Sequence, residues 1–146
     1  MKVSSIRSAA KFRQTVLVID DQPTVLDIHV AVLKSLKMNL KIYTMTDPIE
    51  AIKWMINKQV DLIITDFSMH NMNGMEFVQI IKNSGGDMLI PIIVVTVLKN
   101  QKVLHELLSA GVSACLQKPV DAHELARTSR LLLNKSDRQY SQSLLG

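Results

Sequence analysis

The chain of 146 residues has one cysteine, so no internal disulfide can form, which fits a reducing compartment. It has no apolar run long enough to span a bilayer, and Met1 to Arg13 contain no apolar stretch of the signal-peptide kind. The expectation is a cytoplasmic protein that does not enter a membrane. No internal repeat or low-complexity segment interrupts it, which excludes solenoid and fibrous architectures. The first thirteen residues lack any acid, while Lys2, Arg7, Lys11 and Arg13 carry +4. From Arg127 onward four bases against Asp137 leave +3, and the stretch between holds nine bases and twelve acids. The overall +4 therefore sits at the ends of a mildly acidic body, which argues against direct nucleic-acid binding and for solvated tails.

What is present is a β-then-α order repeated five times. A hydrophobic content of 47% with 21% charge is that of one globular domain with a proper core. Residues 1–13 read as a basic, flexible leader, 14–135 as the domain, and 136–146 as an extension of the last helix or a linker. Thr15 to Ile19, Val60 to Thr65 and Pro91 to Val95 are continuous apolar runs of the length of buried parallel strands. Leu40 to Thr44 and Ser113 to Gln117 are weaker strands. Helices are expected from Pro23 to about Met38-Asn39, and after the Asp47-Pro48 cap. Further helices follow Gly74 up to Asn83-Ser84-Gly85-Gly86, run around Val103 to Leu108 with Gly111 just past the end, and go from about Ala122 to Asn134, capped by Asp121. Strict alternation implies a parallel sheet with helices on both faces.

In such a sheet, ligands bind beyond the carboxyl ends of the strands. Those ends are Asp20-Asp21, Asp66, Thr96 and Lys118. An acid at one strand end is usually a turn or helix cap. Three carboxylates, a hydroxyl and an ammonium on one edge form a chemical constellation. Clustered carboxylates repel, and a hard divalent cation such as Mg2+ relieves them through oxygen ligands. Lys118 and Thr96 suit the equatorial oxygens of a phosphoryl group, and a carboxylate can accept such a group covalently.

The chain resembles the receiver domain of two-component response regulators over about 14–135. The resemblance rests on Val18-Ile19-Asp20-Asp21, Thr65-Asp66 with Met72-Asn73-Gly74, Pro91-Ile92-Ile93-Val94-Val95-Thr96, Ala110-Gly111 and Lys118-Pro119. It implies a flavodoxin-like doubly wound (βα)5 fold with strand order 2-1-3-4-5. It implies that Asp66 is the phospho-acceptor, that Asp20, Asp21, Asp66 and the Ser68 main-chain carbonyl hold Mg2+, and that Thr96 and Lys118 bind the phosphoryl group. The Lys118-Pro119 bond would be cis. The partners implied are a histidine kinase or phosphotransfer protein and a downstream output domain or effector. A homodimer could use the face of the fourth helix, fifth strand and fifth helix, or the extended last helix. The chain would be a signalling receiver, not an enzyme, catalysing only its own phosphorylation and dephosphorylation. With no output domain in the sequence, it reads as a stand-alone regulator or a trimmed piece. The wording around Lys118-Pro119-Val120-Asp121 and Leu131-Leu132-Leu133 is loosely similar to receivers fused to cyclic-dinucleotide phosphodiesterases.

Two positions depart from the family pattern. Cys115 stands where a switch Tyr or Phe is usual, and His70 where Pro is common. Inert packing is the simpler reading of Cys115, and an exposed loop residue that of His70. Ser68 and Leu98 offer no carboxamide or carboxylate to orient a hydrolytic water, so slow self-hydrolysis is expected. The helical His residues, the eight Met and Trp54 read as packing. The alternative function is a receiver-fold interaction module that works without phosphorylation. A Mg2+-dependent phosphohydrolase shares the chemistry but lacks a second substrate pocket or base.

Overall fold

Five short strands run parallel in the order 2-1-3-4-5: β1 Gln14–Ile19, β2 Leu40–Met45, β3 Leu62–Asp66, β4 Ile92–Thr96 and β5 Ala114–Gln117. The computed structural model describes residues 13–84 and 90–145. Of the basic leader, Arg13 alone lies within them, donating to the Leu40 carbonyl at 3.2 Å; Lys2, Arg7 and Lys11 lie outside.

The strands alternate their side chains between two apolar layers. Val16, Val18, Leu62, Ile64, Ile93, Val95 and Leu116 face one layer, closed by α1 (Pro23–Lys34) and α5 (Ala122–Leu145). Leu17, Ile19, Ile63, Ile92 and Val94 face the other, closed by α2 (Pro48–Met55), α3 (Gly74–Lys82) and α4 (Gln101–Ser109). Burial on both faces is why β1, β3 and β4 read as unbroken apolar runs rather than alternating ones. Each fully buried branched side chain contributes about 1.5–3 kcal/mol relative to exposure, which fastens the strand ends in place.

Local chemistry sets the element boundaries. Asn73 and Glu76 exchange reciprocal bonds of 2.9 Å at the start of α3, a capping box. Asn100 accepts from Lys102 N–H at 2.9 Å to start α4. At its end Gly111 adopts φ 104°, and the Gly111 and Val112 N–H groups close back on the Leu108 and Leu107 carbonyls. That Schellman geometry needs a left-handed residue, which glycine supplies without Cβ strain.

The clearest boundary differences from the sequence reading are at α1 and β3. Helix α1 stops at Lys34, not near Met38-Asn39, because Ser35 Oγ turns back to the Val32 carbonyl and Lys37 takes a left-handed φ of 55°. Strand β3 starts at Leu62 rather than Val60, since the Asp61 side chain accepts the Thr15 N–H at 2.7 Å before the ladder begins. It also runs through Asp66, which pairs in register with Val95. Helix α5 continues well past Asn134 to Leu145, a length of about 36 Å at 1.5 Å per residue. No helix among the described residues is long and apolar enough to cross a membrane.

Candidate functional site

Asp20, Asp66, Thr96 and Lys118 meet at the carboxyl edge of the sheet because parallel strands deliver their ends to one side. Asp66 ends β3 and Thr96 ends β4, while Asp20 follows β1 and Lys118 follows β5. Asp20 is fully buried, and Asp66 and Thr96 nearly so. Lys118 Nζ lies 3.1 Å from Asp66 Oδ1 and 3.2 Å from Asp20 Oδ2, bridging the two carboxylates. The other Asp20 oxygen accepts the Gln22 N–H at 2.9 Å, which aligns the carboxylate at the head of α1. The Lys118-Pro119 bond is cis, as the resemblance implied.

Asp20, Asp21 and Asp66 each present a carboxylate oxygen, and these oxygens lie within 4.8 Å of one another. Asp21 is exposed, so the cluster opens to solvent on one side. Hard oxygen donors at this spacing fit a small divalent cation that keeps several waters. Ser68 lies in the loop after β3 and pairs with Asn73 across an isolated antiparallel bridge. Gly74 closes that loop: its N–H donates to the Phe67 carbonyl at 2.6 Å, and a Cβ there would meet Phe67 Cα at 3.0 Å. His70 is exposed and does not join the acidic cluster among the described residues.

Burial pushes the Asp66 pKa up, reinforced by the Asp20 charge and opposed by the Lys118 hydrogen bond. For Lys118, burial alone would lower the pKa; bonds and charges of Asp66 and Asp20 outweigh it and raise the value. The net result is a cationic lysine beside a carboxylate whose ionised form burial disfavours, a load that an added cation would relieve.

Thr96 Oγ1 accepts the Leu98 N–H at 2.9 Å, and Gln117 Nε2 donates to the Leu98 carbonyl at 2.7 Å. Leu98 is therefore held at both backbone groups, while Gln117 Oε1 is buried without a partner. Sequence reading passed over Gln117; its place one residue before Lys118 was the available signal. Cys115 is half-buried against the α2–α3–α4 layer, where burial pushes its thiol pKa up, in keeping with inert packing. His29 of α1 is buried with Nδ1 unpartnered, and burial lowers its pKa, the Asp20 charge opposing and Lys118 reinforcing.

A family model described as the response regulator receiver domain matches residues 16–130. The chain belongs to the response regulator receiver family. The receiver is 33% identical over 130 residues to the cyclic di-GMP phosphodiesterase response regulator RpfG of Xanthomonas campestris pv. campestris (strain 8004), covering 88% of this chain and 34% of that protein. It is 33% identical over 121 residues to the sensor histidine kinase TmoS of Ectopseudomonas mendocina, covering 82% of this chain and 12% of the relative. The receiver thus spans about a third or less of these relatives. Among solved structures, it is similar to the chemotaxis response regulator CheY4 of Vibrio cholerae, with a TM-score of 0.74 and 25% identity over 83% of this chain and 99% of that one. The receiver domain of an HD domain-containing protein from Pseudomonas fluorescens Pf-5 superposes with a TM-score of 0.72 at 23% identity, covering 86% and 98% of the two chains.

Proposed function

We propose that this receiver takes a phosphoryl group from a histidine kinase or phosphotransfer protein onto Asp66 and uses it to change the face presented to a partner. The observation that carries this reading is the bridge from Lys118 Nζ to Asp66 at 3.1 Å and Asp20 at 3.2 Å, beside carboxylate oxygens spaced for a cation.

An Asp66 oxygen attacks the phosphorus of a phosphohistidine. The new O–P bond forms as the N–P bond breaks, and the imidazole leaves with the electron pair and takes up a proton. Asp20, Asp21, Asp66 and the Ser68 carbonyl would hold Mg2+, which when bound supplies charge neutralisation for phosphoryl oxygens. Lys118 then pairs with one phosphoryl oxygen, and Thr96 turns its hydroxyl towards another. Because Thr96 Oγ1 now accepts from Leu98, that turn releases the Leu98 N–H and loosens the loop before α4. Exposed Val97 and Leu108 lie on this loop and on α4, so the loosening reaches the α4–β5–α5 surface. Phosphorylation biases an existing equilibrium between two arrangements.

Cys115 cannot report the Thr96 movement as an aromatic ring would, so the signal runs through the Leu98 backbone. Ser68 and Leu98 leave no group to orient a hydrolytic water, and the phosphoryl group is long-lived. The work is cytoplasmic, and the effector is an output domain or separate protein reached through α4–β5–α5 or α5, either of which could also pair two copies. RpfG couples a receiver to cyclic di-GMP phosphodiesterase activity, and an output of that kind is the first to try.

The test is incubation with Mg2+ and a small phosphodonor, followed by intact mass. A phosphate adduct on the wild type, absent in Asp66→Asn, supports the reading; no adduct leaves a receiver-fold interaction module. An adduct that decays within seconds would refute slow self-hydrolysis.

A further inference from the structure

Alternate residues of a strand share a face, so Gln117 projects from β5 on the same side as Cys115, towards the α2–α3–α4 layer. Their register partners on β4 are Thr96 and Val94, which sets the Gln117 and Thr96 side chains next to each other. Both reach one residue of the loop that follows β4. Thr96 Oγ1 accepts the Leu98 N–H at 2.9 Å, and Gln117 Nε2 donates to the Leu98 carbonyl at 2.7 Å.

Only part of the Gln117 carboxamide is in use. Such a group offers an NH2 donor and a carbonyl acceptor. Nε2 is bonded, whereas Oε1 is shielded from solvent and accepts no hydrogen bond among the described residues. Buried polar atoms in native proteins are nearly always paired, because stripping one of water without giving it a partner is unfavourable. The idle oxygen sits on the very group that already holds the Leu98 carbonyl. In extended backbone the N–H and C=O of one residue face the same side, so a single partner can bond both. Leu98 lies in the non-helical stretch between β4 and α4, where that conformation is open to it.

We propose that Gln117 is a positioning residue that receives the Leu98 N–H when Thr96 gives it up, an inference that rests on the phosphorylation reading above. As Thr96 turns its hydroxyl to a phosphoryl oxygen, Leu98 pivots on its carbonyl bond to Gln117 Nε2. Its N–H then passes from Thr96 Oγ1 to Gln117 Oε1. Leu98 keeps both of its hydrogen bonds, the idle oxygen is filled, and the loop that Thr96 loosened is caught again on β5. Oε1 makes no bond to the Leu98 N–H in this structure, so the handover needs the loop to move and does not follow from loss of the Thr96 acceptor alone. Gln117 thereby gives β5 a side chain that follows Thr96, which Cys115 cannot do.

The test follows hydrogen exchange of the Leu98 amide by NMR in the full chain, before and after treatment with Mg2+ and acetyl phosphate, with intact mass to count the adduct. In the wild type the amide should stay protected in both forms. Gln117→Met, similar in length but unable to bond Leu98, should leave protection near the wild-type level before phosphorylation and lower it about tenfold afterwards. Gln117→Glu keeps an acceptor oxygen and loses the donor, and should restore protection in the phosphorylated form. A residue that only packs the loop would change protection equally in both forms, and that result would overturn the proposal. So would a wild-type Leu98 amide that loses protection on phosphorylation, a phosphorylated Gln117→Met that keeps it, or a phosphorylated Gln117→Glu that lacks it. In each of these cases the adduct is present, so the phosphorylation reading stands. No adduct on the wild type would refute that reading and this one with it.

Discussion

Thr96 Oγ1 accepts the Leu98 N–H at 2.9 Å, so the hydroxyl beside the acidic cluster is already engaged to the loop that leads into α4. A hydroxyl that must serve either Leu98 or a phosphoryl oxygen is a two-position element. Thr96→Ala should cost about 1 kcal/mol by leaving the Leu98 N–H unpaired. It should retain phosphate uptake at Asp66 while shrinking the phosphorylation-dependent amide shifts on α4, β5 and α5. Full-sized shifts in the variant would show that the Leu98 loop is not the route.

Asp66 carries a pKa raised by burial, and the sign of its contribution follows. A carboxyl whose folded pKa exceeds its unfolded value contributes stability that is fully present below the unfolded pKa and lost as pH rises through the folded one. Asp66→Asn removes that loss. We expect a gain of about 1 kcal/mol at neutral pH, of the size usual when a strained functional group is replaced, fading as pH falls below the unfolded carboxylate value. Urea melts across pH on both proteins measure it; a destabilised variant at neutral pH would contradict the electrostatic load.

Lys118 compensates two buried carboxylates. Lys118→Ala should destabilise by about 3 kcal/mol without divalent cation, since breaking a buried pair strands its partner. If Mg2+ binds the cluster, excess Mg2+ should recover much of the loss, about 2.7 kcal/mol at one hundred times its dissociation constant. Thermal melts with Mg2+ and with chelator separate the two contributions. Equal stability of variant and wild type in chelator would refute the compensation.

Gly74→Ala places a Cβ 3.0 Å from Phe67 Cα, a backbone atom with no freedom to yield. The expected cost is about 1–3 kcal/mol. Mg2+ affinity, measured by calorimetry, should fall several-fold because the loop holding Ser68 shifts. Unchanged affinity in a destabilised variant would remove Ser68 from the metal site.

Much of this molecule is legible along the chain because a parallel sheet buried on both faces writes itself as apolar runs. β1, β3 and β4 stand out for that reason, and their polar ends name Asp20, Asp66 and Thr96 before any geometry is known. Lys118-Pro119 after the last strand completes the set. Boundaries set by side-chain detail were harder to read: Ser35 stops α1 early, and Asp61 delays β3 by capping Thr15 from a neighbouring strand. Neither contact follows from periodicity, since each depends on what the fold places opposite.

The sequence by itself determined which residues arrive at the carboxyl edge, because parallel strands leave no freedom in where their ends point, whereas the strand order was implied by the family resemblance. Only the tertiary structure decided how those residues are engaged. Lys118 bridges two carboxylates rather than one, Thr96 is committed to Leu98, and Gln117 holds the other side of Leu98. Hydrogen bonds and desolvation act over a few ångströms between segments far apart in the chain, so no local pattern encodes them.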